Sequence, residues 1–454
     1  MAERQRPIEQ DPKVRCKNFE AVEENFTEEQ AQTEASRCLN CKNPRCVTGC
    51  PVNINIPAFI QEVKNNDLQK AGDIIRESSM LQSVCGRVCP QEKQCEGKCV
   101  LGIKSQPVAV GALERYVGDN TKAEETKIIE NGKKVAIVGS GCAGITAAAD
   151  LRKAGFKVTV FEALHEFGGV LRYGIPPFRL PRIVLDRELD ALKAMGVEFI
   201  KNVVVGKSIT LNQLKDDGYA AVFICSGAGL PKMLGIKGEN LNGVYSANEF
   251  LTRVNLMHAN EKDTPTPLKI GRKVAVIGGG NVAMDAARTA LRVGFEEVYI
   301  VYRRSEAELP ARLEEIRHAK EEGVIFKLLH SPYEILGDTE VEGMKLEVME
   351  LGEPDESGRR RPVSTGEIVT IDFDSVIVAL GTGPNPIIQK SAESENLDLE
   401  TDKKGYIIIN AESGETSIEN IYAGGDVAPV GTSTAINAMG AGKRAAKAII
   451  EKLK

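Results

Sequence analysis

The sequence predicts an α/β fold: two nested, doubly wound nucleotide-binding units preceded by an α-helical, cysteine-bearing domain. Three observations predict it. An apolar strand, a glycine-rich turn and a small-residue helix at residues 133–144 recur at residues 273–283. A buried strand ending in a small-residue turn follows each copy, at 220–227 and at 374–383. Ahead of both repeats, eight of the eleven cysteines fall between Cys38 and Cys99.

The chain of 454 residues is long enough for roughly three domains. Its net charge of -6 argues against nucleic acid or a membrane surface as partner. The first residues are charged and carry no apolar segment, so no signal peptide is expected. No apolar run approaches the ~20 residues of a membrane span, and a cytoplasmic location is expected.

Residues 1–125 read as the helical domain. Thr27 and Gln30 fit a capping box that opens a helix running towards Cys38. Pro57 suits the first turn of a helix carrying Phe59, Ile60 and Val63. A third helix over 67–78 presents Leu68, Ala71, Ile74 and Ile75 on one face. The cysteines form two runs: Cys38, Cys41, Cys46 and Cys50 before Pro51, then Cys85, Cys89 before Pro90, Cys95 and Cys99. Structural disulfides are not expected in a reducing compartment, so the runs read as metal ligands. Only one CxxC is present, which disfavours zinc knots, although a non-catalytic zinc-bearing assembly module is the alternative of another class. Closely spaced thiolates with a cysteine before proline suit [4Fe–4S] clusters, that last cysteine crossing to the other cluster. Two clusters are therefore expected: Cys38, Cys41 and Cys46 on one, and Cys50 with Cys89, Cys95 and Cys99 on the other. Counting thiols offers Cys85 to complete the first.

After a charged linker at 118–132, Gly139, Gly141 and Gly144 form GxGxxG between strand and helix. The first glycine makes the turn, the second admits a pyrophosphate to the backbone, and the third lets the helix pack on the strand. Ser140 and Ala143 belong to the same turn, and Glu162 ends the next strand where an acid binds ribose hydroxyls. The glycine- and proline-rich stretch 168–181, with Gly169, Leu171 and Tyr173, suits a loop laid against a flat ring system. A helix over 186–195 and short strands at 197–200 and 203–205, the latter with Val205, precede the strand that ends at Gly227.

The second copy reads GxGxxA, with Gly278, Gly280, Asn281, Val282 and Ala283 at the turn. Its following strand ends in Arg303 and Arg304, where the first copy has an acid. Two guanidiniums there suit a 2′-phosphate, so this site is expected to take NADP(H) and the first to take FAD. Residues 345–373 read as strands joined by a charged turn at 352–362. Near the end, Gly425 and Asp426 follow a strand, and a helix begins near Thr434. Its N-terminus would stabilise negative charge on a reduced flavin. The expected partition is 126–250 and 376–454 for FAD, flanking 251–375 for NADP(H).

These nested units, with Ala-Gly-Gly-Asp at 423–426, resemble the pyridine nucleotide–disulfide reductase superfamily. The cysteine runs, Tyr173 to Pro176, Arg179 to Pro181 and the Arg303–Arg304 pair resemble more specifically the glutamate synthase small-subunit family. That family includes a part of dihydropyrimidine dehydrogenase and the large subunit of the electron-bifurcating NADH-dependent ferredoxin:NADP oxidoreductase. The resemblance implies FAD, NADP(H) and two [4Fe–4S] clusters, and offers Glu114 as the fourth ligand of the first cluster. It implies hydride transfer between nicotinamide and flavin with no catalytic side chain, and onward electron transfer to a larger synthase or redox subunit, or to a ferredoxin-linked subunit, in a hetero-oligomer. No CxxC lies in the nucleotide units and Cys142 and Cys225 are single, which disfavours a dithiol relay. Residue 2 is Ala, so no N-terminal cysteine is present to hydrolyse glutamine. His165, His258, His318 and His330 are scattered and form no catalytic pair.

Overall fold

A computed structural model of the chain describes residues 3–123, 127–356 and 358–454; the boundary expected at 125/126 and part of the expected linker lie outside them. In the helical domain, Thr27 caps the helix Glu28–Ser36 through a reciprocal box with Gln30. Pro57 sits in the first turn of Ile56–Lys64, which buries Phe59, Ile60 and Val63. Asp67 caps Leu68–Ser78. The helix Val110–Asn120 buries Leu113 and Val117. This apolar core is continuous with one face of the first nucleotide unit, joining Phe59 and Leu113 to Ile145 and Met439 in one cluster. The cysteine runs are thereby packed against that unit.

The first sheet is parallel throughout, in the order Ile421–Ala423, Tyr219–Ile224, Lys134–Val138, Lys157–Phe161, Glu198–Ile200. Its central strand feeds the helix Cys142–Lys153, so the glycine turn opens at the carboxyl edge of the sheet. The second sheet repeats the plan with Val244–Ser246, Ser375–Val378, Lys273–Ile277, Glu297–Tyr302 and Ile325–Leu328. Val244–Ser246 and Ser375–Val378 are hydrogen-bonded to each other, so strand pairing carries the second sheet past the expected limits at 251 and 375 on both sides. Beside it lies an antiparallel sheet of His330–Leu336, Gly343–Pro354 and Arg360–Asp372. Those strands extend into the stretch expected as a turn.

Three local expectations are corrected. The helix expected at 186–195 runs from Arg182 to Ala194, because Pro181 sits extended at its N-cap and lets the next residue begin the helix. Residues 203–205 form no strand; Val203 instead donates its N–H to the Glu162 carbonyl and Val205 makes an isolated bridge to Ile209. Within 168–181, Val170–Tyr173 forms one helical turn started by Gly169 at φ 54°.

A buried ionic seam joins the N-terminal arm to the second unit. Arg15, 1% exposed, donates to Glu9, Glu321 and Glu322. Arg288 and Arg292 meet Glu322 at 2.8 and 2.7 Å, and both lie over the Phe178 ring of the first unit. Arg179 bridges Asp285 and Glu315, each at 2.7 Å. No helix among the described residues is long and apolar enough to cross a membrane.

Candidate functional site

The first glycine turn separates packing from ligand approach. A Cβ on Gly144 would lie 2.0 Å from the Gly139 carbonyl oxygen, and one on Gly139 2.6 Å from the Cys225 carbonyl oxygen. Both glycines are demanded by the fold. A Cβ on Gly141 would meet nothing within 4 Å, although the residue caps a buried helix. Such open space suits a pyrophosphate against helix N-terminal amides.

Glu162 fastens this turn to the tip of the next strand. Its carboxylate accepts from the Ser140 N–H at 3.0 Å, the Ser140 hydroxyl at 2.5 Å and the Leu164 N–H at 2.9 Å. The Ser140 hydroxyl in turn accepts from the Gly168 N–H at 2.9 Å. A Cβ on Gly169 would lie 3.1 Å from the Gly141 Cα, which sets the second loop directly over the first. Leu171 is buried beneath it. Tyr173 is held close to Glu162 and Asp426; burial, reinforced by those two carboxylates, pushes its phenol up to about 12. It stays a neutral hydrogen-bond donor.

Asp426 lies in the short turn Gly425–Val427, its carboxyl raised by burial. Thr434 caps the helix Ala435–Leu453 by accepting from the Asn437 N–H at 3.3 Å. A Cβ on Gly442 would meet the Ala143 carbonyl oxygen at 2.3 Å, so this helix seats directly on the first one. The structure thus gathers Gly139, Ser140, Gly141, Ala143, Glu162, Gly169, Tyr173, Gly425 and Asp426 round one turn. Gly227, at φ 72°, leaves open space after the neighbouring strand, whereas Val205 is buried in the core behind it.

The second turn repeats the division. A Cβ on Gly278 would lie 2.5 Å from the Ala379 carbonyl oxygen, and one on Gly280 meets nothing. Asn281 accepts from the Arg312 N–H at 2.8 Å, Val282 is exposed, and Ala283 is buried. The arginine pair is unequal. Arg304 is buried and engaged by Asp355 at 2.5 Å and the Arg360 carbonyl at 2.7 Å, while Arg303 is exposed at the strand tip. A symmetrical clamp is not what the fold presents; Arg303 is exposed with no ion pair among the described residues, and Arg304 anchors the adjacent hairpin.

The cysteines form two pockets whose membership crosses over. Cys38, Cys41 and Cys46 share one with Cys99. Cys50, Cys85, Cys89 and Cys95 share the other with Glu114. Cys50 crosses as expected. Cys99 is corrected to the first pocket, and Cys85 and Glu114, both considered for the first, belong to the second. The reason is steric. A Cβ on Gly49 would lie 2.8 Å from the Gln94 carbonyl oxygen, so the end of the first run nests in the second and the runs interleave. Each pocket draws thiols from both.

The second pocket holds five donors. Glu114 is buried, its Oε1 finds no hydrogen-bond partner among the described residues, and burial pushes its carboxyl up to about 8. The Cys85 thiol contacts the Met439 sulfur at 3.4 Å. Ile436 of the helix Ala435–Leu453 also lines this pocket, and Pro51 abuts Gly440. Cysteine spacing gave no sign that this apolar helix face would border the cysteines. The four thiols of the first pocket suit an iron–sulfur cube, and the second offers four thiols and an orphaned carboxylate oxygen for the four ligand positions of another. His165 and His258 are exposed, His318 lies in the ionic seam, and His330 bonds the Leu328 carbonyl; none lines either pocket.

Two family models match. Residues 15–126 match "Dihydropyrimidine dehydrogenase domain II, 4Fe-4S cluster", and residues 133–442 match "Pyridine nucleotide-disulphide oxidoreductase". The chain is 36% identical over 463 residues to the NADPH glutamate synthase small chain of Halomonas elongata, covering 99% of this chain and 96% of the relative. It is 36% identical to the Escherichia coli K12 small chain, covering 96% and 94%. The beta subunit of the NADP(+)-dependent formate dehydrogenase of Moorella thermoacetica is 38% identical, over 90% of this chain and 60% of that one. Among solved structures, Mycobacterium tuberculosis FprA in complex with NADPH superposes with a TM-score of 0.58 at 25% identity, covering 71% of this chain and 84% of FprA. The thioredoxin reductase of T. acidophilum shares the fold, with a TM-score of 0.52 at 22% identity over 70% and 99%.

Proposed function

The chain belongs to the family of NADPH glutamate synthase small chains, iron–sulfur flavoprotein oxidoreductases, and from that premise we propose that it carries electrons from NADPH to a larger partner subunit. When bound, NADP(H), FAD and [4Fe–4S] clusters supply hydride transfer and single-electron transfer. The chain's own residues hold and order them. Gly141 and the first turn of the helix Cys142–Lys153 receive the FAD pyrophosphate, and Glu162 faces its ribose through the Ser140 turn. Gly280 and Arg303 do the same for NADPH, Arg303 pairing with the 2′-phosphate.

Cys38, Cys41, Cys46 and Cys99 ligate one cluster. Cys50, Cys89, Cys95 and Glu114 ligate the other, and the Cys85 thiol packs between Cys89 and Met439. The buried pocket lies against the helix Ala435–Leu453, and the other lies towards the surface, where Leu39 and Val100 on its rim are exposed. The observation that carries the reading is this contact of Ile436 and Met439 with the buried pocket. One helix touches both the flavin turn and the cysteines, which orders the sites as nicotinamide, flavin, buried cluster, surface cluster.

The partner we propose is a synthase large subunit; the formate dehydrogenase relative keeps another redox subunit as the second reading. Metal and flavin analysis of protein purified without oxygen tests the cofactors. About eight irons and one FAD per chain are expected. Zinc at the cysteines, or no flavin, would overturn the proposal. Identifying the polypeptide that co-purifies with the native chain separates the two partner readings.

A further inference from the structure

Residues 309–312 are strung between the second glycine turn and the second cysteine run. On the nucleotide side, the Ala311 N–H donates to the Gly279 carbonyl at 3.3 Å and the Arg312 N–H to Asn281 Oδ1 at 2.8 Å. On the cysteine side, the Arg312 guanidinium donates to the Arg87 carbonyl and to Gln91 Oε1, each at 3.0 Å. Arg312 is 7% exposed and Gln91 5%. Gln91 Nε2 donates to the Cys85 and Gly86 carbonyls, both at 3.2 Å, and Gln91 lines the buried pocket with Glu114. A Cβ on Gly111 would lie 2.4 Å from Gln91 Nε2, so the amide is also pressed on the helix Val110–Asn120.

The helix Leu313–Glu321 does not account for an arginine at this position. Arg312 is its N-cap, makes no side-chain cap bond, and sets a cation at the positive end of the helix. Serine, threonine or aspartate would serve that helix better. The cysteine side gives the arginine a role. With Oε1 taken by Arg312, the Gln91 amide has one orientation, Nε2 facing the carbonyls of the cysteine run. Without the guanidinium, a buried Oε1 loses its donor and nothing fixes that orientation. We propose that Arg312 is a positioning residue for the buried cluster, supplied by the second nucleotide unit. It orients Gln91 against the segment 85–86 and holds a positive charge behind the pocket. The inference rests on the assignment of Cys50, Cys89, Cys95 and Glu114 to a cluster. Hydrogen bonding and charge beside a cluster set its reduction potential, and a cation favours the more negative reduced form. Glu92 at 3.6 Å and Glu314 at 3.0 Å flank the guanidinium, so its loss would leave net negative charge at the same place.

The test is an EPR-monitored redox titration of the holoprotein without oxygen, the buried component being the one that Cys50→Ser alters. The variants are Arg312→Met, Arg312→Lys and Gln91→Leu. Arg15→Met serves as the control, because it takes a buried arginine from Glu321 and Glu322 at the far end of the same helix. In Arg312→Met the reduced fraction of the buried cluster at a fixed potential should fall roughly tenfold, a shift of about 59 mV for one electron. Iron content and the potential of the outer cluster should stay as in wild type. Arg312→Lys, which keeps the charge, should recover most of the shift. Gln91→Leu should move the same cluster in the same direction by less. Arg15→Met should lower the melting temperature and move neither potential.

A potential unchanged or raised in Arg312→Met, or an equal shift of the outer cluster, would overturn the proposal. So would an equal shift in Arg15→Met, or an Arg312→Lys variant no closer to wild type than Arg312→Met. If Arg312→Met yields no soluble holoprotein, Gln91→Leu decides: a lowered potential confined to the buried cluster supports the proposal, and an unmoved one overturns it. A wild type without two cluster components refutes instead the cysteine assignment beneath it.

Discussion

Single residues divide into those the fold requires and those a ligand requires, and the glycines show the division most directly. Gly141→Val adds a side chain where the fold has open space, so the protein should fold and keep its clusters yet purify without FAD. Retained flavin, measured by absorbance after denaturation, would refute the assignment of that turn. Gly144→Ala places a methyl 2.0 Å from the Gly139 carbonyl and should destabilise the unit by about 1–3 kcal/mol, seen as a lowered melting temperature. The arginine pair divides in the same way. Arg303→Ala should weaken NADPH by about 1.5–3 kcal/mol, roughly 10- to 100-fold in KM, with little change for NADH. Arg304→Ala should lower thermal stability more than NADPH preference, because its guanidinium ties Asp355 and Arg360. Equal loss for both nucleotides in Arg303→Ala would remove the clamp. Two arginines at a strand tip pointed to NADP(H) in the sequence; that Arg304 is held while Arg303 is exposed depends on a hairpin about fifty residues away in the chain.

At the scale of elements, strand–glycine–helix repeats and caps were readable because each is local. Thr27 with Gln30 caps the helix its spacing implies, and Asp67 and Thr434 prove to cap helices expected to begin at or near them. The membership of the cysteine pockets was readable only in part. Spacing identified cluster-type ligands and the crossing of Cys50, but Cys99 and Glu114 are sorted by how two runs interleave through Gly49, a tertiary fact with no periodicity. The consequence is testable. Cys99→Ser should damage the cluster of Cys38, and Glu114→Ala the cluster of Cys50, each seen as a changed EPR component. Cys85→Ser should leave both spectra intact; loss of the buried cluster in Cys85→Ser with an untouched spectrum in Glu114→Ala would reverse that ligand choice. The helix Arg182–Ala194 began earlier than its apolar pattern suggested because Pro181 set the start, a signal present in the sequence and outweighed there by the glycine and proline crowding before it.

Across the whole molecule, the N-terminal arm, the loop 168–181 and the second unit are joined through charge rather than through apolar packing alone. Burial by itself would raise the carboxyls of Glu315 and Glu322, but Arg179 and Arg288 beside the first, and Arg288 and Arg292 on the second, hold both down at about 2. Carboxyls depressed in the folded state stabilise it fully above the unfolded range near ~4.3. That contribution is lost as pH falls from there towards 2. Melting temperature should therefore hold roughly level down to pH 5 and drop steeply below pH 4. Arg288→Met leaves Glu322 and Glu315 short of a buried partner and should cost about 3–5 kcal/mol. A melting temperature unchanged in that variant would show the seam to be energetically idle. The seam also ties the second unit to the loop 168–181, through Arg179 and Phe178.

The central claim is that one chain holds a nicotinamide-reducible flavin and two clusters in sequence, and an electron count tests it most directly. In an anaerobic reductive titration, NADPH should bleach the flavin, and dithionite should then bring the total to about four electrons per chain, two at the flavin and one at each cluster. Cys99→Ser should take about one fewer. A total of two, with flavin bleaching and no further uptake, or a flavin that NADH reduces as readily as NADPH, would contradict the account.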